Sequence, residues 1–224
     1  MTLPIEIVRH PRARRLKLSV DPASGAIRLV MPPRYAAGRA LAWAEEQRGW
    51  IEAQRGKLPQ PRPFVDGAVV PLGDEHLTIE WNAAAPRTPR REGDRILCGG
   101  PVEHLPARVE AWLKRQALAT LIADTRAVAD RHGIAVDRVA IGDAKARWGS
   151  CSSRGGIRYS WRLILAPAFV RHAVVAHEVA HRVHMNHAPE FHALAAELLQ
   201  ADPEPAYRWL RSNGAGLHWF GRAS

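Results

Sequence analysis

The residues best suited to chemistry lie in a short histidine-rich segment in the last third of the chain. The sequence His-Glu-Val-Ala-His spans residues 177–181. His177 and His181 are four residues apart, so in a helix both imidazoles leave the same face. One tetrahedral cation can accept a nitrogen from each at about 2.0–2.1 Å. Glu178 lies on a neighbouring face, where its carboxylate can act as a general base towards water without being a ligand.

Two ligands hold a zinc ion poorly, so the pattern requires a third. His184 lies on the same helical face, but one further turn of a straight helix carries its ring away from the metal. His187 would return to the metal if the helix ended in a turn near Asn186, a residue that suits a left-handed helix ending. Glu197, on the next predicted helix, can also supply a carboxylate. Spacing favours His187 and leaves the other two candidates open.

The alternative to a metal site is a helix with two histidines on its solvent-exposed face. Against it, residues 174–181 are apolar except for the motif itself. A surface helix would carry more lysine, glutamate or glutamine there. Polar groups in an apolar helix need partners, and a bound metal supplies them. The pattern therefore favours a metal site.

The elements that must position this site are predicted in the second half of the chain. Apolar residues at helical spacing, with proline and glycine as start and stop signals, predict three helices. Alternation around a turn predicts a strand and a hairpin before the histidine-rich helix. The predicted helices are residues 102–131, 167–185 and 189–200, with a short one ending near 210; the strands are 136–141 and the hairpin 147–152 with 157–163.

The first half of the chain reads as β-rich. It contains predicted strands at 15–20, 26–31 and 95–98, a hairpin at 69–81 that turns at 73–74, and one helix at 36–55. Leu41, Trp43, Trp50 and Ile51 are expected to form the buried face of that helix. The loop at 83–93 is small, basic and proline-bearing. We therefore predict an N-terminal β-rich lobe, residues 1–100, and a catalytic domain, residues 101–224.

Composition limits the class of protein. The 224-residue chain has a formal net charge of +10, which raises affinity for nucleotides or nucleic acid without identifying one. It has no apolar run as long as a membrane span, so no membrane partner is expected. The first residues lack the order of a secretory signal, and a cytoplasmic location is expected. Two cysteines, Cys98 and Cys151, are too few for a disulfide framework.

Three motifs in order resemble the YgjP-like metallopeptidase family, relatives of the SprT-type zincins. They are Arg-Trp-Gly-Ser-Cys-Ser at 147–152, Tyr-Ser-Trp-Arg-Leu at 159–163 and Val-Ala-His-Glu-Val-Ala-His-Arg-Val-His-Met-Asn-His at 175–187, with Pro-Glu-Phe at 189–191. The resemblance implies an α+β, zincin-like domain that binds one Zn²⁺ per chain through His177, His181 and His187. It also implies that Glu178 is the general base and that the substrate is a peptide or protein.

Two other functions remain open at this stage. The same water and base could attack a phosphoryl group, and the positive charge would favour a nucleotide substrate. Alternatively, the chain is a basic nucleic-acid-associated module in which zinc is structural and Glu178 is idle. A structural zinc site prefers four protein ligands, whereas the sequence offers three good ones. That count favours an open coordination position and hydrolysis.

Overall fold

A computed structural model describes residues 4–223. Contacts between residues divide the chain into two compact units, of which the first ends at Gln60 and the second begins at Pro61. The domain boundary predicted at residue 100 falls inside the second unit. Ile79 and Ile96, which precede that boundary, share one buried core with Leu113, which follows it. The assignment of catalysis to residues 101–224 stays a prediction.

The first unit contains a three-stranded sheet and two helices. The strands are β1 (Ile5–Arg9), β2 (Lys17–Val20) and β3 (Ile27–Met31), and the helices are α1 (Ala37–Glu46) and α2 (Arg48–Arg55). The central strand β3 pairs antiparallel with β2, as the hairpin prediction requires. It also pairs in parallel with β1, a strand that was not predicted.

The helix predicted at 36–55 is interrupted at Gln47, and its expected buried face is partly wrong. Ile51 is buried, but Leu41 and Trp50 are exposed. The small residues Ala40 and Ala44 pack into the core of the unit instead. The interruption separates the two halves into α1 and α2, so a single helical periodicity does not describe both.

The second unit begins with a four-stranded sheet in the order β4-β5-β7-β6. Its strands are β4 (Val69–Leu72), β5 (Glu75–Trp81), β6 (Arg90–Glu92) and β7 (Arg95–Cys98). The predicted hairpin of β4 and β5 is confirmed, and Gly73 supplies its turn with a φ of 64°. Such a φ favours glycine because it lacks a Cβ. Strand β6 lies in the segment that was predicted to be a loop.

The rest of the second unit surrounds the histidine motif. Its elements are a 3-10 helix (Val102–His104), α3 (Leu105–Arg131), β8 (Arg138–Gly142), β9 (Gly149–Cys151), β10 (Gly156–Ser160), a 3-10 helix (Trp161–Leu165), α4 (Ala168–Ala180), α5 (Pro189–Leu199) and α6 (Glu204–Leu217). Strand β10 is central in a third sheet, parallel to β8 and antiparallel to β9. The predicted hairpin is confirmed, and α6 is longer than predicted.

Helix α4 lies at the centre of this arrangement. It packs against α3, α5, α6 and strand β9. One face of the third sheet carries the buried Ile157 and Tyr159, and the Tyr159 hydroxyl lies 3.0 Å from the Thr125 hydroxyl of α3. Alternation along a strand turns every second side chain to this face and the others to the opposite face. Most residues of α4 are buried in this arrangement.

The architecture confirms the predicted fold class, a mixed α+β structure with strands at its N-terminal end. Within residues 4–223, no helix combines the length and the apolar character needed to cross a bilayer.

Candidate metal centre

Three histidines from different parts of the chain meet beside the end of α4. His177 belongs to α4, His181 is the residue that caps it, and His187 lies in the loop before α5. One ring nitrogen of each lies within 4.8 Å of the corresponding nitrogens of the other two. This is the set of residues that the sequence and the family resemblance favoured as ligands.

The chain reverses direction earlier than predicted. Helix α4 ends at Ala180, not near residue 185. The amides of Val183 and His184 both donate to the carbonyl of Ala180, at 3.0 Å each, and so close a tight turn. Because the turn starts directly after His181, the remaining loop is long enough to bring His187 back to the end of the helix.

The other two candidate ligands, His184 and Glu197, have different contacts. The carbonyl oxygen of His184 accepts a hydrogen bond from His181 Nδ1 at 3.0 Å, so His184 contributes its backbone to the site. The carboxylate of Glu197 is exposed and lies 3.9 Å from His132 Nδ1. Neither His184 nor Glu197 belongs to the cluster of three ring nitrogens.

Hydrogen bonds orient the imidazoles. His177 Nδ1 lies 3.0 Å from the Tyr207 hydroxyl of α6, and His181 Nδ1 donates to the backbone. A partner at Nδ1 fixes the ring and leaves Nε2 for a metal. The Nε2 atoms of His177 and His187 are 3.4 Å apart. Two nitrogens bound to one tetrahedral zinc at its usual bond length are separated by about 3.3–3.4 Å.

Tyr207 was missed in the sequence analysis. It follows His177 by 30 residues and lies on a helix with no motif of its own. No local pattern connects the two residues, because only the packing of α6 against α4 brings them together.

An aromatic side chain supports all three rings. Phe191 of α5 is fully buried. Its ring stacks on His181 with centroids 4.4 Å apart, and it meets His177 and His187 edge-on at 4.9 and 4.7 Å. Such contacts restrict ring rotation and exclude water from one side of the cluster.

The electrostatic environment favours the neutral form of His177. Burial, together with the neighbouring His181 and His187, lowers the pKa of His177 to about 4. A neutral imidazole is the form that binds a metal, because its free nitrogen carries a lone pair. The donor set therefore fits a divalent cation that prefers nitrogen ligands.

Glu178 is buried beside the cluster, with an exposed fraction of 5%. Its Oε2 atom has no hydrogen-bond partner among the described residues. Burial raises the pKa of Glu178 to about 7, and the charge of Arg147 opposes this shift. A buried carboxylate with a free oxygen is costly unless a ligand, water or metal completes it. The Oε2 atom of Glu178 is therefore available to a ligand or a water molecule.

Strand β9 makes room for this carboxylate. A Cβ atom on Gly149 would lie 2.3 Å from Glu178 Oε1 and 2.6 Å from its Cδ. Real Cβ atoms do not approach so closely, so any side chain at residue 149 would displace the carboxylate. The glycine of the motif at 147–152 thus has a steric role that its sequence context did not reveal.

The site combines three convergent imidazoles and one buried carboxylate in an α+β fold. The model of the YgjP-like metallopeptidase domain matches residues 14–213 of the chain. The match covers most of the sequence, and the chain belongs to the YgjP-like metallopeptidase family. Searches of curated proteins and of solved structures returned no significant match. Membership of this family indicates a metal-dependent hydrolase, in agreement with the cluster of His177, His181 and His187.

Proposed function

We propose that the chain is a zinc-dependent peptidase in which His177, His181 and His187 hold one Zn²⁺ and Glu178 is the general base. The observation that carries the proposal is the convergence of three imidazole nitrogens, one of them from the residue before Glu178, whose buried Oε2 atom has no partner among the described residues. Three protein ligands leave one coordination position open, which is typical of catalytic zinc sites.

The choice of zinc follows from the donor atoms. All three are imidazole nitrogens, and the 3.4 Å between the Nε2 atoms of His177 and His187 suits a tetrahedral ion. Imidazole ligands suit zinc and related transition metals, whereas magnesium and calcium prefer oxygen. When bound, zinc supplies Lewis acidity that activates water and polarises a carbonyl group.

The other steps belong to the chain itself. Glu178 Oε2 accepts a proton as water attacks the carbonyl carbon, and it then returns that proton to the leaving amine. The packing of Gly149 against the carboxylate holds it in place during both transfers. Tyr207 holds the His177 ring through Nδ1.

A free strand edge favours a peptide over a phosphoester substrate. Among residues 4–223, strand β9 pairs only with β10. The hydrogen bonds at Trp148 and Ser152 point to β10, so alternation turns the backbone groups of Gly149 and Cys151 to the outer edge. An extended peptide can pair with such an edge and pass directly beside Glu178.

The test is the variant Glu178→Gln. We expect it to keep one zinc per chain and the wild-type fold while hydrolysis of a peptide library falls by about 10²–10⁴-fold, because only the base is removed. Zinc is measured by elemental analysis and hydrolysis by mass spectrometry. The matched control is Glu190→Gln, an exposed glutamate in the first turn of α5, which should retain activity.

Two results would contradict the proposal. If Glu178→Gln keeps activity within about tenfold of wild type, Glu178 is not the base. If the zinc-loaded wild type cleaves nucleotides and no peptide, the phosphohydrolase alternative is correct.

A further inference from the structure

A shallow groove of about 410 Å³ lies on the third sheet, whose strand β9 packs against α4. The side chains of Arg138, Arg147 and Arg158 line it together with Ser150 and Ser152. We call it the arginine groove. All three arginines are exposed. Gly156 and Ala140 also line it, so little side-chain bulk fills the space between the guanidinium groups.

The register of the sheet places Ser150 and Arg158 of the groove on the face opposite Glu178. Gly149 pairs with the buried Tyr159, and its Cα faces the Glu178 carboxylate. Ser150 pairs with Arg158, and both lie on the other face. Successive residues of β9 therefore face the site and the groove in turn. A single strand separates the two.

No ion pair within the described part of the chain neutralises the groove, although the charge of Arg147 also acts on the Glu178 carboxyl. None of the three arginines has a carboxylate within ion-pair distance there, and no acidic residue lines the groove. Arg158 donates only to the carbonyl of Ile141, at 3.3 Å. By contrast, Arg162 and Arg171 each pair with an aspartate. Unpaired guanidinium groups in a concave surface attract anions and bind carboxylates in a defined geometry.

We propose that the arginine groove binds acidic side chains of the polypeptide substrate. This inference rests on the proposed function, because it assumes that an extended peptide pairs with the free edge of β9. In such a pairing, the peptide residue opposite Ser150 points to the same face as Ser150 and Arg158. Its neighbours point to the face of Glu178. Glutamate or aspartate at alternate positions around the cleaved bond would thus meet the arginines.

The lining favours an acidic peptide over nucleic acid. Surfaces that bind single-stranded nucleic acid combine basic residues with aromatic side chains on which bases stack. The arginine groove is lined by arginine, serine, glycine, alanine, isoleucine and cysteine. It offers contacts to anionic groups and none of the aromatic surface that bases use.

The test uses the full zinc-loaded chain and matched fluorogenic peptides. One peptide carries glutamate at every second position, a second carries glutamine there, and a third carries the glutamates shifted by one residue. We expect kcat/KM for one of the two glutamate peptides to exceed that for the glutamine peptide by about tenfold, mainly through a lower KM. Several exposed charge pairs together contribute about this factor. The other glutamate peptide should show little increase in kcat/KM over the glutamine peptide, because its glutamate side chains lie on the opposite face of the paired strand.

The variant that removes the groove's charge combines Arg138→Gln, Arg147→Gln and Arg158→Gln. All three side chains are exposed, so the core is untouched. Because the charge of Arg147 also acts on Glu178, the readout is the ratio between the two peptides and not kcat/KM itself. The ratio of kcat/KM for the glutamate over the glutamine peptide should fall towards one. Arg115→Gln, an exposed arginine of α3 outside the groove, is the control and should keep the ratio.

Binding of the same labelled peptides to the Glu178→Gln variant, measured by fluorescence anisotropy, separates the two proposals. If no peptide is cleaved but the glutamate peptide still binds through the three arginines, the peptidase proposal fails and the groove stands. If both peptides are cleaved and bound equally, the groove proposal fails and the peptidase stands. An oligonucleotide of equal charge that binds more tightly through the same arginines would identify a different occupant and overturn the inference.

Discussion

The third histidine of the cluster comes from a loop, whereas the first two belong to α4 and its cap. His187 is exposed, and its Nε2 atom lies 3.4 Å from that of His177. His184 is closer in sequence but offers only its carbonyl oxygen, to His181 Nδ1. A backbone contact survives most substitutions of the side chain that follows it. We therefore predict different effects on zinc affinity for substitutions of the two loop histidines, His187 and His184.

We expect His187→Ala to weaken zinc binding by at least about tenfold, because two imidazoles remain. His184→Ala should change zinc affinity little, since the carbonyl that orients His181 is retained. Titration with a competing chelator measures both variants. Glu197→Ala is a second control, because that carboxylate lies beside His132. If Glu197→Ala removes the metal and His187→Ala does not, the third ligand is Glu197 and not His187. The proposal that the chain is a hydrolase would still stand.

At the scale of elements, strand β9 and helix α4 depend on each other. The helix carries Glu178, and the strand approaches it without a side chain at Gly149. The same strand presents its free edge and, on its other face, the arginine groove. The position of β9 thus sets the relation between the base and any peptide paired with the strand.

Gly149→Ala should lower kcat by about a hundredfold while zinc content stays at one per chain. The new Cβ would lie 2.3 Å from Glu178 Oε1, so the carboxylate must move, and a shift of about 1 Å in a catalytic group can cost this factor. Kinetics on a neutral peptide and elemental analysis check the two outcomes. Gly216→Ala is the control, because its Cβ meets nothing within 4 Å. Unchanged kcat in Gly149→Ala would show that the carboxylate needs no such space.

On the scale of the whole molecule, the candidate ligands connect parts of the second unit that are distant along the chain. His177 and His181 belong to α4 and its cap, His187 precedes α5, and Tyr207 of α6 contacts the first of them. A metal at this point would link three helices. A ligand that binds only the folded state stabilises it by mass action.

We therefore expect removal of zinc by a chelator to lower the melting temperature. At a free zinc concentration of about 100 times Kd, binding contributes about 2.7 kcal/mol, and each kcal/mol shifts Tm by about 2–4 °C in a chain of this size. A loss of about 5–10 °C in differential scanning fluorimetry follows. His177→Ala should show no further loss on chelation. If the metal is removed from the wild type and Tm does not change, the ion does not bind preferentially to the folded chain.

Local patterns in the sequence were sufficient for the features that depend on neighbours along the chain. The spacing of His177 and His181 placed both imidazoles on one face, and alternation predicted the β9–β10 hairpin. The three motifs together indicated the family. Each of these properties follows from helix or strand geometry over a few residues, which short-range sterics and hydrogen bonds impose.

Only the tertiary structure decided the features that depend on chain reversal and packing. It moved the end of α4 from residue 185 to Ala180, and it showed that His187 returns to the cluster. It brought Tyr207 to His177 across 30 residues and Gly149 to the Glu178 carboxylate. It also gathered the arginines of β8, β10 and the loop before β9 in one groove through strand register. These contacts arise from how faces of separate elements bury apolar surface against each other, and no local spacing encodes which residues then meet.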